Sequence, residues 1–130
     1  MAVKAVIRIS LDPRYIDYFH LFEEGKYFEA HEVLEGLWRE TKDETREFYH
    51  GLIQLAAALV HFQKGNLKGA KELFRTASSY LKPYRPRYEG VEISKVLRDF
   101  GKFLDVWSED PDDPSIAKKL LPRVTLEKKP

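Results

Sequence analysis

Hydrophobic residues recur with the helical period over most of the chain, and turn-forming residues divide this pattern into five segments. Apolar positions spaced three or four residues apart give each segment one face that packs on a core. The five predicted helices run from Pro13 to Glu24, Lys26 to Glu40, Glu44 to Lys64, Leu67 to Leu81 and Ile93 to Trp107. We therefore predict an all-α fold, a compact bundle of about five helices built from two helical hairpins and a C-terminal helix.

Capping and helix-breaking residues define the predicted boundaries. Asp12 before Pro13 suits a helix start, because aspartate caps the free N–H groups and proline fits the first helical position. Gly25 and Gly65 suit helix ends, because glycine readily adopts the left-handed conformation. The stretch 82–87 contains two prolines and is predicted to be a loop.

A repeated spacing of small residues indicates the two hairpins. Gly25 and Gly65 are each followed five residues later by an alanine, Ala30 or Ala70. Small residues allow two helices to approach closely, and the pattern resembles helical-hairpin repeats of the tetratricopeptide type. Two copies are too few for a solenoid, so we interpret them as two hairpins packed in one bundle.

Both ends of the chain fall outside the helical pattern. Residues 2–10 suit an extended segment, and the proline-rich tail suits a strap with one helical turn. We expect one domain over residues 1–130. Two basic residues interrupt the first ten positions, which therefore do not fit a signal peptide. Because no apolar stretch reaches the roughly 20 residues needed to cross a bilayer, we expect a cytoplasmic protein with no membrane partner.

The second predicted helix carries polar residues where a bundle helix is usually apolar. With a turn of about 100° per residue, His31 and Glu35 fall on one face, and Glu32 and Arg39 lie beside them. Burial of such groups costs free energy unless each finds a partner. A polar row on this helix therefore indicates either a lined cleft or a paired network.

The third predicted helix is apolar nearly all round except for one row at i, i+4 spacing, formed by Arg46, His50 and Gln54. The short link before it predicts antiparallel packing against the second helix. Pairing residues outward from that link places His50 between the levels of His31 and Glu35. We therefore predict a compact cluster of His31, Glu35, His50 and Gln54.

Imidazole and carboxylate groups bind divalent metals and also act as general acids and bases near neutral pH. Our first hypothesis is a metal-dependent hydrolase for a small polar or anionic substrate, with His31, Glu35 and His50 as catalytic residues. Its divalent metal would be held by His31, Glu32 and Glu35. The residues expected to bind substrate are Trp38, Arg39, Arg46, Tyr49 and Gln54. His61 lies about 16 Å beyond His50 along the helix axis and cannot share a mononuclear site with it.

Two other hypotheses explain the same residues without catalysis. A helical interaction module would expose a groove for a partner helix or for self-association into a homo-oligomer. A purely structural network would use ordinary i, i+4 pairs, such as Glu35 with Arg39 and His31 with Glu35.

Composition excludes several classes of function. The net charge is +1, with 22 basic and 21 acidic residues, whereas a nucleic-acid surface shows a clear basic excess, so we expect no DNA or RNA partner. The chain has no cysteine, which excludes disulfides and thiolate metal sites. The stretch Tyr84-Arg85-Pro86-Arg87-Tyr88 mixes cations and aromatic rings as a phosphate contact does, but we interpret it as a solvated loop.

Two sequence runs resemble the signature of the family called domain of unknown function 309. They are FEEGKYFEAHEVLEGLWRE, from Phe22 to Glu40, and REFYHGLIQLAAA, from Arg46 to Ala58, in a resemblance that covers about residues 21–81. It implies a small all-α fold found in bacteria and archaea. No activity is established for the family, although the label of metal-dependent hydrolase circulates. The positions that match its motifs are His31, Glu32, Glu35, Trp38, Arg39, Arg46, Tyr49, Gln54 and His61.

Overall fold

The computed structural model describes residues 12–127, and most of them are helical. The helices are α1 (Pro13–Glu23), α2 (Tyr27–Glu40), α3 (Arg46–Gln63), α4 (Leu67–Leu81), α5 (Ile93–Glu109) and α6 (Ser115–Lys118). Each of α1 to α4 packs against the next helix in sequence, and the contact between α3 and α4 is the most extensive. These findings confirm the predicted all-α class and the compact helical arrangement. The extended segment predicted for residues 2–10 lies outside the described residues.

The two predicted hairpins end their first helices in the same way. Gly25 and Gly65 have φ angles of 78° and 72°, in the left-handed region that favours glycine. At both turns the glycine N–H donates to the carbonyl three residues back, and the next N–H donates to the carbonyl five residues back. This is the Schellman pattern of helix termination. Ala30 and Ala70 are fully buried, as their predicted role in close helix packing requires.

The connection between α4 and α5 holds more structure than the predicted loop. A 3₁₀ turn, Lys82–Tyr84, leads into a small antiparallel hairpin of β1 (Arg87–Tyr88) and β2 (Val91–Glu92). The two residues between these strands, Glu89 and Gly90, both have positive φ, as a type I′ turn requires. Two-residue strands are too short to show a sequence period, which is why the pattern did not predict them.

An ion-pair triad holds the start of α1 against the end of α2. The Arg14 guanidinium donates to Asp12 at 2.8 Å and to Glu40 at 2.9 and 3.0 Å. These hydrogen bonds hold the pKa of both carboxyl groups below their ordinary values. Asp12 also caps α1 through the backbone N–H of Arg14, as the sequence predicts. None of the helices within residues 12–127 has the length and apolar content that crossing a bilayer demands.

Candidate functional site

Three rings, one from each of α2, α3 and α4, pack in a row with tilted planes across the layer that these helices form. The centroid of the His50 ring lies 4.7 Å from that of Trp38 and 4.3 Å from that of Tyr80, with interplanar angles of 37° and 31°. All three side chains are half-buried. We call Trp38, His50 and Tyr80 the ring ladder. Tyr80 was not among the predicted site residues, because α4 carries no motif that marks it.

Both ring nitrogens of His50 face polar groups of its own helix. Nδ1 lies 3.7 Å from Glu47 Oε1, and Nε2 lies 3.2 Å from the Gln54 amide nitrogen. This arrangement suits an imidazole that carries its proton on Nδ1 and accepts a hydrogen bond from Gln54 on Nε2. His50 is therefore held by two rings and two polar side chains. Glu47 was missed in the sequence, although its i, i+3 spacing to His50 marks it as a neighbour.

Arg46 closes the end of the seam between α2 and α3. Its guanidinium carbon lies 4.4 Å from the centroid of the Trp38 ring. Nη1 donates to the carbonyl oxygens of Trp38 at 2.9 Å and Thr41 at 3.2 Å. Carbonyls at the end of a helix lack helical partners, so Arg46 satisfies the C-terminus of α2. If Arg46 binds an anion as predicted, it does so through its other two guanidinium nitrogens, Nε and Nη2.

Of the four residues in the predicted compact cluster, the described structure joins only His50 and Gln54 by a direct contact. The ladder places His50 level with Trp38, and His31 lies seven residues, or about 10 Å, further along α2. Within residues 12–127, no hydrogen bond, ion pair or ring contact joins His31 or Glu35 to His50 or Gln54. The register differs because the link is longer than expected: α3 begins at Arg46, two residues later than predicted.

His31 lies in a different environment from His50. Its Nδ1 atom is buried, and it has no hydrogen-bond partner in the described part of the chain. Its ring stacks against Phe28, at 6.1 Å and 11°, and Phe28 is 55% exposed. The Nε1 atom of Trp38, on the same face of α2, is also buried without a partner there.

The acidic residues of the predicted metal site are not gathered around His31. Glu32 is exposed, and the half-buried Glu35 forms an ion pair with Arg39 at 3.4 Å. Among residues 12–127, no three His, Cys, Asp or Glu side chains are grouped so that they could hold a metal ion. The described residues therefore do not fit the divalent metal expected for a metal-dependent hydrolase.

Two further motif residues lie away from the ladder. Tyr49, predicted to bind substrate, is 4% exposed, and its ring packs 5.7 Å from Tyr15 of α1. This places Tyr49 in the core between α1 and α3. His61, at the other end of α3, has Nδ1 3.1 Å from the side-chain nitrogen of Asn66, the residue that caps α4. His61 therefore has its own partner at the start of α4, away from His50, as its distance along the helix predicts.

Two cavities are described on the surface, and both lie outside the ladder. One, of about 270 Å³, lies between α5 and the tail. The other, of about 370 Å³, lies between the start of α3 and the connection before α5. The residues that line the larger cavity are Glu44, Pro83, Tyr84, Arg85, Arg87 and Tyr88.

Two uncharacterized bacterial proteins each match about 70% of the chain. The uncharacterized protein YpuF of Bacillus subtilis (strain 168) is 36% identical over 94 residues, which are 71% of this chain and 51% of that protein. An uncharacterized protein of Aquifex aeolicus (strain VF5) is 26% identical over 96 residues, 72% of this chain and 29% of its own length. The chain thus spans about half the length of the first relative and under a third of the second.

The family comparison agrees with the two motifs of α2 and α3. The profile of the domain of unknown function (DUF309) family matches residues 15–73. The match begins earlier than the predicted resemblance, in α1, and ends within α4, so Trp38 and His50 lie inside it and Tyr80 lies outside. The predicted resemblance is confirmed over residues 15–73, which match the DUF309 family, and no function is established for that family.

Proposed function

We propose that this protein binds a small polar ligand on the face of α2 that carries His31 and Trp38. The observation that supports the proposal is that His31 Nδ1 and Trp38 Nε1 are both buried without a hydrogen-bond partner in the described residues. Each unpaired buried polar atom costs about 1–3 kcal/mol. A ligand that pairs with both atoms removes that cost.

The geometry of α2 limits the chemistry of the ligand. An indole N–H only donates, so the ligand carries an acceptor at the Trp38 end. The second group lies about 10 Å away at His31, since seven residues separate the two positions. Glu35 lies between them, with its charge offset by Arg39. A molecule with oxygen acceptors at both ends fits this arrangement when His31 carries its proton on Nδ1.

The indole N–H signals in a ¹H–¹⁵N spectrum test the proposal directly. The chain has two tryptophans, and Trp107 Nε1 is also buried without a partner in residues 12–127, so Trp107 is an internal control. Linear dicarboxylates from succinate to suberate serve as probes, with acetate as the single-acceptor control. We expect a saturable shift of the Trp38 signal alone, largest for the probes that span about 10 Å. Equal shifts of both signals, or of neither, contradict the proposal.

A second candidate function, hydrolysis, is favoured by the pair of Glu47 and His50. A carboxylate beside Nδ1 orients an imidazole whose Nε2 acts as a general base once water displaces the Gln54 amide from it. In this candidate Glu47 takes the place predicted for Glu35, while His31 and Glu35 stay untested as catalytic residues. Hydrolysis of 4-nitrophenyl acetate, with and without added Zn²⁺ or Mn²⁺, should then fall at least tenfold in His50→Gln. An unchanged rate in that variant contradicts this function.

The predicted interaction module receives less support. The large apolar side chains exposed in the described residues are Phe28 on α2, Ile116 on α6 and Leu120 just after it. Binding of a partner helix and self-association therefore stay predictions, and light scattering of the purified chain measures the second of them.

A further inference from the structure

We infer that the larger cavity is a second binding site, which takes a small anion with a planar ring, of the nucleoside monophosphate class. This site is independent of the one proposed on α2. Its volume of about 370 Å³ falls within the range of small-ligand sites. The loop that the sequence suggested was merely solvated, from Tyr84 to Tyr88, forms most of its wall.

The two tyrosine rings of the cavity are fixed before any ligand arrives. The Tyr84 hydroxyl donates to the backbone carbonyl of Glu44, and the Tyr88 hydroxyl pairs with Thr45 Oγ1 at 2.8 Å. Both rings pack on the fully buried Phe48, with centroids 5.4 Å and 4.9 Å from it. The rings remain half-exposed, so they offer a rigid surface on which a planar base can stack.

The two arginines of the cavity differ in how their charge is used. Arg87 pairs with Glu92 at 2.7 Å and with Glu127 at 3.0 Å. Arg85 is exposed, and its one hydrogen bond in the described residues runs from Nε to the Lys82 carbonyl at 3.0 Å. Because no carboxylate there neutralises Arg85, its two terminal nitrogens can donate together to phosphate oxygens.

A mononucleotide uses both the tyrosine rings and Arg85, whereas a nucleoside or a phosphate alone uses only one of them. The tyrosines supply a stacking surface, and Arg85 supplies a cation that forms no ion pair in the described residues, although Glu44 also lines the cavity, so ring and phosphate bind together there. Both tyrosine hydroxyls are neutral at neutral pH, since desolvation raises a pKa that is ordinarily 10.0. The net charge of +1 gives only a weak long-range attraction for a polyanion. A small nucleotide is therefore favoured over a nucleic-acid strand.

Isothermal titration calorimetry with three probes tests this site. Adenosine monophosphate carries ring and phosphate, adenosine lacks the charge, and inorganic phosphate lacks the ring. We expect adenosine monophosphate to bind at least tenfold more tightly than either of the others. Failure of adenosine monophosphate to bind, or a phosphate affinity equal to it, overturns the proposal.

Two arginine variants locate the binding. Arg85→Ala should weaken adenosine monophosphate at least fivefold without changing the melting temperature, because Arg85 is exposed. Arg75→Ala removes the same charge from an exposed position on α4 and should leave the affinity unchanged. An equal loss in both variants shows that only net charge matters, and no loss in Arg85→Ala shows that the nucleotide binds elsewhere. Either result contradicts the proposed site.

Discussion

His50 and His31 belong to facing helices of one seam, and their surroundings are opposite. His50 is 22% exposed, lies between the rings of Trp38 and Tyr80, and has a polar group beside each nitrogen. His31 stacks on the exposed Phe28 and leaves Nδ1 buried without a partner in residues 12–127. The same residue type therefore fixes helix packing at one end of the seam and leaves a buried nitrogen without a partner in the described residues at the other.

This contrast shows that a polar row on a bundle helix does not have one role. Paired polar groups between helices hold a defined register, and truncating one partner leaves the others unsatisfied. An unpaired group lowers stability in the free protein and gains its partner only when a ligand binds. Substitutions at the two ends of the seam should therefore differ in size, and at His31 in sign.

The largest effect is expected for Arg46→Met at the paired end. The variant keeps an unbranched apolar stem but loses both hydrogen bonds to the last carbonyls of α2. We expect the free energy of unfolding to fall by about 2–3 kcal/mol, since hydrogen bonds from charged groups are the stronger class. Urea unfolding measures it, with Arg39→Met, at an exposed position, as the control. If both variants lose the same small free energy of unfolding, Arg46 does not stabilise the packing of α2 on α3.

His50→Leu should have the next largest effect. Leucine keeps much of the buried volume, but it leaves the Gln54 amide without its hydrogen-bond partner and loses the ring contacts with Trp38 and Tyr80. We expect a loss of about 1–2 kcal/mol. His50→Gln, which retains hydrogen-bonding capacity, should recover part of it in the same urea assay. A His50→Leu protein with the same free energy of unfolding as the wild type would mean that the ring ladder does not fix the register between α2 and α3.

Tyr80→Leu tests the part of the ladder that the sequence did not reveal. Its ring stacks on His50 at the edge of the seam, so we expect a loss of about 1 kcal/mol from the lost ring contact. Combining it with His50→Leu in a double-mutant cycle isolates that contact. Additive losses would show that the two rings are energetically independent.

The triad of Asp12, Arg14 and Glu40 should give the smallest effect, because Glu40 is exposed and the other two side chains are only half-buried. We expect Arg14→Met to lower the melting temperature by only about 1–2 °C at pH 7. Both carboxyl groups have pKa values below their ordinary 3.8 and 4.5, so their pairing stabilises the protein at neutral pH. That contribution disappears as pH falls through the lowered values.

Melting temperatures of wild type and Arg14→Met, measured from pH 7 down to about 3, test this prediction. The difference between them should hold constant to about pH 5 and then shrink as the carboxyl groups protonate. A difference that grows on acidification would contradict the assignment of these pKa directions to Arg14.

The helices could be predicted closely because their signals are local. Gly25 and Gly65 end helices where left-handed residues are required, and the apolar period between them sets each buried face. The register between α2 and α3 could not be predicted from the same pattern. It depends on the length of the link and on Arg46 folding back onto the carbonyls of α2, both of which are tertiary features.

The candidate site was predictable only in part for the same reason. The i, i+4 row identified His50 and Gln54 as partners, and the structure brings them within 3.2 Å. Tyr80 comes from a helix whose sequence carries no polar motif, so only packing reveals it. His31 Nδ1 lacks a partner because no neighbouring polar side chain within residues 12–127 reaches it, and a sequence pattern does not show such an absence.

The stability of His31→Leu tests the central contrast most directly. Leucine removes the unpaired nitrogen while keeping much of the buried volume, so we expect urea unfolding to show an unchanged or higher free energy, by up to about 1 kcal/mol. The same variant should lose the dicarboxylate-induced shift of the Trp38 indole signal. A loss of stability as large as that of His50→Leu would contradict the account, since it would make His31 a paired structural residue like His50.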